Sequence, residues 1–347
     1  MGVPGLFAWL RRKYPLIVES CTASTDQEYE YGQVESDCDN LYVDFNHIAH
    51  ACTHPGWRDT PYQSELECFL EMEQYLDRLF NLVRPQRLMM VAIDGVAPQA
   101  KISQQRTRRF MSAYTEDVRR KLEAEVRREM EGEAGGAVHI PALPDFDSNV
   151  ITPGTAFMAR MAQMLRSFFE QKLACDVNWR HVQVILSDAN EPGEGEHKIM
   201  RFIRQQRTQA SYDPNTRHVV YGQDADLNLL GLLTHEPHFS ILREAAPLES
   251  IVEESGVDTQ DTAWSPAAQQ PLHYLRVSVL REYLKWEFAD LIGLPPQGNP
   301  NAYLSEQEPD GAEGEDGGAG GQDQGGKKFE FERMAEDFVL LTFMVGT

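Results

Sequence analysis

A short acidic turn between an apolar run and a helical pattern constrains the fold of this chain most. The run at 182–186, Val-Gln-Val-Ile-Leu, is typical of a buried parallel strand. The apolar residues of Ile199–Ile203 repeat at helical spacing. Between them, residues 187–198 hold four acidic side chains and two glycines. The acids therefore lie where a strand ends and a helix begins, the edge at which open α/β sheets bind ligands.

Glu194 and Glu196 are the two acids of this turn that most resemble a ligand pair. On an ideal helix, side chains two residues apart point to nearly opposite sides. Gly193 and Gly195 relax that constraint, because glycine adopts turns that other residues resist. Both carboxylates can then face one point, and a cation makes such convergence favourable. A solvated acidic loop is the alternative interpretation of the same residues.

The remaining pattern predicts an α/β fold with a mostly parallel sheet and helices on both faces. Strand patterns and helix patterns alternate along the chain, as they do in such folds. The other predicted strands are Asn40–Asp44, Leu88–Asp94, Arg217–Gly222 and Phe239–Arg243. The other predicted helices are 1–16, Leu76–Val83, Ile102–Met130, Phe157–Phe169, Leu275–Leu291 and Met334–Val345. The polar residues 20–39 predict a surface excursion.

Four of the predicted strands end in acids, and the carboxyl ends of parallel strands meet at one edge of a sheet. These acids are Asp44, Asp94, the group Asp188, Glu194 and Glu196, and the pair Asp224 and Asp226. Gathered carboxylates repel each other unless a divalent ion neutralises them. Oxygen ligands without cysteine favour Mg²⁺ or Mn²⁺ over Zn²⁺. Two such ions suit in-line phosphodiester cleavage. A single acid at a strand end can equally cap the next helix.

A basic run follows the second of these strands and predicts a phosphate-binding helix face. Lys101, Gln105, Arg108 and Arg109 share one face of a helix, near its first turns. Arginine grips phosphate through two parallel hydrogen bonds. A solvated basic face is the alternative. His50, which follows the strand ending in Asp44, is either a structural histidine or a side chain that stacks on a base.

Composition and charge limit the class of partner and the cellular setting that the chain can have. The net charge of the 347 residues is −22, which on its face speaks against a nucleic-acid partner, but acids and bases are segregated. Residues 305–326 contain seven acids, eight glycines and no Lys or Arg, which predicts a disordered insert. Five scattered cysteines without a CxxC pair favour a reducing, intracellular setting. The chain has neither a membrane-spanning apolar run nor a signal peptide pattern.

Several ordered motifs then resemble the 5′→3′ exoribonucleases of the XRN type. They are Met1–Pro4, Asp44–Asn46, Ala92–Pro98, Gln104–Arg109, Phe146–Asn149, Pro192–Lys198 and Tyr221–Leu227. The resemblance covers nearly the whole chain outside 305–328 and is somewhat closer to the nuclear branch. The Asp-x-Asp and Glu-x-Glu patterns alone also fit PIN-like and flap-endonuclease relatives.

The resemblance implies a Mg²⁺-dependent exoribonuclease that degrades single-stranded RNA carrying a 5′ monophosphate to mononucleotides. It implies a PIN- or flap-endonuclease-like core, with Mn²⁺ as a substitute metal. It assigns the metal-binding catalytic acids to Asp44, Asp94, Glu194, Glu196, Asp224 and Asp226. It assigns the 5′-phosphate pocket to Lys101, Gln105, Arg108 and Arg109, and the stacking role to His50. Asp188 has no metal role in the family pattern.

The sequence also departs from the family pattern. The family continues past the last predicted helix with an Asn-Asp-Phe-Leu-Pro segment that supplies a seventh metal ligand, whereas this sequence stops at Thr347. We therefore expect a nuclease region at 1–304, the acidic insert at 305–328 and the start of a continuation at 329–347. A catalytically weak or inactive RNA-binding remnant, and a flap endonuclease, are the alternative functions. The expected location is intracellular, with the nucleus favoured over the cytoplasm.

Overall fold

A computed structural model of the chain describes residues 5–21, 38–53, 64–134, 147–244, 271–289 and 330–345. The predicted insert at 305–328 lies outside these residues. The strands are β1 (Val18–Cys21), β2 (Asn40–Asp44), β3 (Leu88–Ala92), β4 (Gln183–Ser187), β5 (His218–Tyr221), β6 (Phe239–Glu244) and β7 (Leu272–Arg276). The α-helices are α1 (Leu6–Lys13), α2 (Phe45–Thr53), α3 (Glu65–Val83), α4 (Gln99–Ala134), α5 (Ala156–Cys175), α6 (Gly195–Arg207), α7 (Asp226–Leu232), α8 (Val277–Glu287) and α9 (Phe331–Val345).

The strands form one seven-stranded sheet in the order β1-β7-β6-β5-β2-β3-β4. β2 is parallel to β5 on one side and to β3 on the other, and β3 is parallel to β4. In this register Asp44 is opposite Ala92, and Ala92 is opposite Ser187, so β2, β3 and β4 end level with one another. All residues of β3 are buried, so both of its faces are covered. The predicted α/β fold with a mostly parallel sheet is confirmed.

Contacts divide the chain into two units, each described by itself. The central unit comprises Cys21–Gln223 and Leu242–Leu272, and it holds β2 to β5 with α2 to α6. Its core includes a stack of Phe80 on Trp179, whose ring centroids are 3.8 Å apart. The α6 helix packs on β2 and β3. Among the helices of the described ranges, none is long and apolar enough to span a lipid bilayer.

The terminal unit comprises Met1–Ser20, Asp224–Ile241 and His273–Thr347. Here α7 packs against α8 and α9. Close packing explains Gly231 within α7, because a Cβ at this position would lie 2.8 Å from the ring of Phe239. Tyr14 stacks near Tyr283, with ring centroids 4.8 Å apart.

The structure corrects three details of the predicted elements. β1 extends to Cys21, into the segment predicted as a polar surface excursion. β7 occupies Leu272–Arg276, so Leu275 lies in a strand and the helix begins only at Val277. Short apolar runs fit both periods, and neighbouring strands decide between them. Finally, α4 begins at Gln99 and continues to Ala134, past the predicted end at Met130.

Candidate metal and phosphate site

The acidic turn after β4 is held open by backbone geometry that only glycine adopts easily. Gly193 has a φ of 110°, in the left-handed region. Its N–H donates to Val96 O, and its carbonyl accepts from Gly95 N–H, both at 2.9 Å. These two bonds tie the turn after β4 to the turn after β3. Glu194 is then the N-cap residue of α6, and Glu196 lies in its first turn.

Four predicted metal ligands gather around the next glycine, Gly195. Its N–H donates to Asp94 Oδ1 at 2.7 Å. A Cβ at this position would lie 2.6 Å from Asp44 Oδ1, so the Asp44 carboxylate rests against the glycine backbone. Glu194 and Glu196 flank Gly195 in the chain and are 5% and 4% exposed. Asp44 and Asp94 of the central unit thus contact Gly195, whose neighbours in the chain are Glu194 and Glu196, and we call these four residues the acidic cluster.

The protonation behaviour of Asp94 reflects this crowding. Burial, above all, raises the pKa of the Asp94 carboxyl above its usual range. The charge of Glu194 raises this pKa further, against the opposing hydrogen bond from Gly195. Buried, mutually repelling carboxylates of this kind are the donor set that hard divalent cations prefer. The residues present thus fit a metal ion such as Mg²⁺ or Mn²⁺.

His197 is a possible ligand that the sequence analysis missed. Its Nε2 lies 3.9 Å from Glu194 Oε2 and 3.7 Å from Glu196 Oε1. One ligand atom from each of these three residues falls within 4.8 Å of the others, which is compatible with a shared metal ion. The imidazole is half-exposed, so it lies at the outer side of the acidic cluster. Its position directly after Glu196 was the available signal.

A buried lysine anchors the turn that carries the two glutamates. Lys198 is 2% exposed, and its Nζ donates to the carbonyls of Ile93 and Asp188, each at 2.8 Å. Burial, above all, lowers the pKa of this ammonium, while nearby carboxylates oppose the shift. Lys198 therefore fastens the ends of β3 and β4 to each other beneath the acidic cluster.

Asp188, which the strand-end pattern grouped with the metal ligands, lies directly after β4. Its carboxylate pairs with Arg166 and accepts the Asn190 N–H at 3.0 Å. These bonds shape the start of the turn and turn the side chain toward α5. Asp188 thus forms an ion pair with Arg166, and its predicted part in metal binding stays a prediction.

The predicted phosphate-binding face divides between the acidic cluster and a neighbouring cavity. Lys101 Nζ lies 2.5 Å from Glu194 Oε2, so this ammonium offsets part of the charge of the acidic cluster. The other three members line a cavity of about 280 Å³, which we call the phosphate cavity. Its lining residues are Asn46, His50, Asp94, Gly95, Gln105, Arg108, Arg109, Ser112, Asn149, Ile151, Thr152 and Pro153.

Asp94 joins the acidic cluster to the phosphate cavity, because it bonds to Gly195 and also lines the cavity wall. Its own N–H donates to Asn46 Oδ1 at 3.0 Å. His50, predicted to stack on a base, lines the same cavity from α2. The sequence analysis had given no role to Asn46 or Asn149, although both belong to motifs that carry the family resemblance.

Asp224 and Asp226 lie in the terminal unit. Asp224 precedes α7, and its carbonyl accepts from Leu227 N–H at 3.3 Å. Asp226 is the first residue of α7. Their predicted part in metal binding stays a prediction.

Comparison with known proteins decides the family. The model for the family described as XRN 5′-3′ exonuclease N-terminus matches residues 1–245. The chain belongs to this XRN family. The resemblance seen in the sequence motifs is therefore confirmed, and the matched range includes the acidic cluster and the phosphate cavity.

The XRN relatives are similar to this chain over its whole length. The 5′-3′ exoribonuclease 2 of Candida albicans is 41% identical, with 100% of this chain and 34% of the relative aligned. The 5′-3′ exoribonuclease 2 of Debaryomyces hansenii is 42% identical, over 100% of this chain and 33% of the relative. The 5′-3′ exoribonuclease 2 of Gallus gallus is 38% identical, over 100% of this chain and 36% of the relative. The chain thus spans about a third of the length of the XRN relatives that it matches.

Proposed function

We propose that the chain forms the metal-binding and 5′-end-binding part of a 5′→3′ exoribonuclease that uses Mg²⁺, with Mn²⁺ as a substitute. The substrate is single-stranded RNA with a 5′ monophosphate, and the products are mononucleotides. The observation that carries the proposal is the acidic cluster joined through Asp94 to a cavity lined by Gln105, Arg108 and Arg109. The names of the XRN relatives support the reaction class.

Each group of residues has a task in this reaction. Asp44, Asp94, Glu194 and Glu196 would hold the metal, joined by Asp224 and Asp226 as the family pattern implies. When bound, the metal supplies an activated water and stabilises the leaving oxygen. Arg108 and Arg109 would grip the terminal phosphate through charge-assisted hydrogen bonds. His50 would stack on the first base, and Asn46 would hold the backbone of Asp94 in place.

The size and chemistry of the phosphate cavity support cleavage in the 5′→3′ direction. A cavity of about 280 Å³ accommodates a terminal phosphate group, and its walls belong to α2, the turn after β3, α4 and the segment at 149–153. A pocket that recognises a chain end makes cleavage begin at that end. We propose the nucleus as the location, on the resemblance to the nuclear branch of the family.

The test compares two RNAs that differ only at the 5′ end. In Mg²⁺, RNA with a 5′ monophosphate should decay to mononucleotides, whereas RNA with a 5′ hydroxyl should persist. Glu194→Gln should abolish decay. Asp188→Asn is the matched control, because Asp188 pairs with Arg166 outside the acidic cluster.

Other outcomes would support other functions. Equal decay of both RNAs, or decay that survives Glu194→Gln, counts against the proposal. Binding of 5′-phosphate RNA without cleavage at high Mn²⁺ would favour an RNA-binding remnant. Internal cuts in branched DNA would favour a flap endonuclease.

A further inference from the structure

A buried network of two tyrosines and a glutamate lies behind α2, in the central unit. Tyr75 on α3 and Tyr221 at the end of β5 are both fully buried. Their hydroxyl oxygens are 2.7 Å apart. Both hydroxyls reach Glu244 Oε1 at the end of β6, from 2.6 Å for Tyr75 and 3.2 Å for Tyr221.

The network contains three close contacts between oxygen atoms but only two hydroxyl hydrogens. Each phenol has one hydrogen to donate, whereas a carboxylate only accepts. When Tyr75 donates to Glu244, it can accept the hydrogen of Tyr221. A charged acceptor strengthens such bonds, so the carboxylate is held in one orientation. Burial raises the pKa of Glu244, but His47 and the two hydroxyls outweigh it and hold the pKa below its usual range.

The second oxygen of this carboxylate faces the helix that lines the phosphate cavity. His47 Nε2 on α2 lies 3.4 Å from Glu244 Oε2. The His47 ring also lies against Tyr221, with ring centroids 6.2 Å apart at 55°. His47 follows directly after Asn46, which accepts the Asp94 N–H, and it lies one helical turn before His50. The first turn of α2 thus lies within ion-pair distance of Glu244 on one side and accepts a hydrogen bond from Asp94 on the other.

We propose that Glu244 is a positioning residue which, through His47, sets the placement of His50 at the phosphate cavity. The proposal rests on the proposed function, because it assigns a task to the wall of that cavity. The two tyrosines orient the carboxylate, the carboxylate holds the His47 ring, and the ring fixes the rotation of α2. A change in that rotation would move His50 relative to the RNA end while leaving the strand-borne acid Asp44 in place.

The test is a double-mutant cycle in the full chain. His47→Ala should raise the KM for 5′-phosphate RNA on the order of tenfold, because small displacements of a binding group weaken binding strongly. Its kcat should stay within about twofold, since the change acts on binding. If His47 acts through His50, His47→Ala combined with His50→Ala should raise KM no further than His50→Ala alone. Additive effects would overturn the proposal, as would an unchanged KM in His47→Ala.

Three further measurements separate positioning from general stability and from the proposed function. His181→Ala, at an exposed histidine before β4, is the matched control and should leave KM unchanged. Glu244→Gln, which keeps an acceptor for the tyrosine hydroxyls, should rescue most of the KM effect of Glu244→Ala. Equilibrium binding of 5′-phosphate RNA in EDTA should show the same ranking of variants. If the wild-type chain does not hydrolyse RNA, the proposed function alone is refuted. If His47→Ala leaves the binding of 5′-phosphate RNA unchanged, the positioning role alone is refuted.

Discussion

At the scale of single residues, the site depends on positions where a side chain has no room or where a buried charge binds the backbone. Gly195 is the clearest case, since the Asp44 carboxylate and the Ala92 carbonyl both lie against it. Lys198 is the second, because its ammonium is buried and donates to two backbone carbonyls. Neither residue is proposed to contact RNA, yet each determines where the acidic cluster lies.

We expect Gly195→Ala to disrupt the acidic cluster. The new methyl group would lie 2.6 Å from Asp44 Oδ1, so the carboxylate or the start of α6 must move. Manganese affinity, measured by titration calorimetry, should fall on the order of tenfold or more, because metal sites tolerate little displacement of their ligands. Glu194→Gln, which removes charge without adding bulk, is the comparison. Wild-type affinity in Gly195→Ala would contradict the geometry described.

Lys198→Met should destabilise the central unit by about 2 kcal/mol, since it leaves two buried carbonyls without their donor. Urea unfolding would measure this loss. Lys121→Met serves as the control, because Lys121 forms an exposed pair with Asp117 on α4, and this substitution should cost less than about 1 kcal/mol. Equal stability of the two variants would show that the Lys198 contacts contribute nothing.

At the scale of elements, the strand ends supply the acidic side chains of the site, and a helix start supplies the basic ones. The parallel strands β2, β3 and β4 end level and deliver the acids, and α4 brings basic side chains from its first turns. The amino ends of the strands carry structural pairs instead. Asp39, just before β2, accepts from the Arg217 backbone N–H at 2.9 Å and from its guanidinium at 3.1 Å.

Arg108→Gln and Arg109→Gln should each weaken recognition of the 5′ phosphate. A charge-assisted hydrogen bond is worth about 1.5–3 kcal/mol, so KM for 5′-phosphate RNA should rise roughly tenfold or more. Steady-state kinetics with both RNA ends would show a loss of preference for the phosphate. Arg106→Gln is the matched control, since Arg106 is exposed on the same helix and does not line the phosphate cavity. An equal effect of all three variants would show that the 5′ phosphate of the RNA does not bind in the phosphate cavity.

The Asp39–Arg217 pair predicts a pH dependence of stability. Burial raises the pKa of Asp39, but the hydrogen bonds and charge of Arg217 outweigh it and lower the pKa below the usual value. A lowered folded-state pKa contributes stability above the unfolded-state pKa, and this contribution disappears as pH falls through the folded-state value. Asp39→Asn should therefore cost about 1–2 kcal/mol at pH 7 and almost nothing in strong acid. Denaturant unfolding at several pH values would check this, and a pH-independent difference would contradict it.

At the scale of the whole molecule, a net charge of −22 has to coexist with the proposed RNA binding. General electrostatic attraction cannot supply the affinity, because the chain as a whole repels a polyanion. Binding must depend on local basic residues, of which Lys101, Arg108 and Arg109 belong to the proposed site. The chain spans about a third of the length of its XRN relatives.

This arrangement predicts that the affinity for RNA depends only modestly on salt concentration. About three phosphate contacts to single-stranded RNA correspond to a slope of about −2 for log affinity against log salt. Binding measured between low and physiological salt would give the slope, and RNA with a 5′ hydroxyl should show a shallower one. A slope steeper than about −5 would require further basic surfaces beyond α4.

Much of the fold was predictable because buried parallel strands and amphipathic helices have distinct periods. β2 matches its predicted bounds, and β3, β4 and β5 lie within a residue or two of theirs. β7 was missed, since Leu272 and Leu275 fit a helical spacing as well as a strand. The pairing of Asp188 with Arg166 was not predictable, because a strand-end acid has the same sequence pattern whether it faces a metal or an arginine.

The sequence alone determined which side chains could reach the carboxyl edge of the sheet, because the order of strands, turns and glycines fixes where each acid emerges. Only the tertiary structure decided which of them meet. The absence of a side chain at Gly195 matters because Asp44 and Asp94, which lie far from it in the chain, contact its backbone. The link from Glu244 to His47 likewise has no local signal, because burial and pairing across elements exist only once the chain has folded.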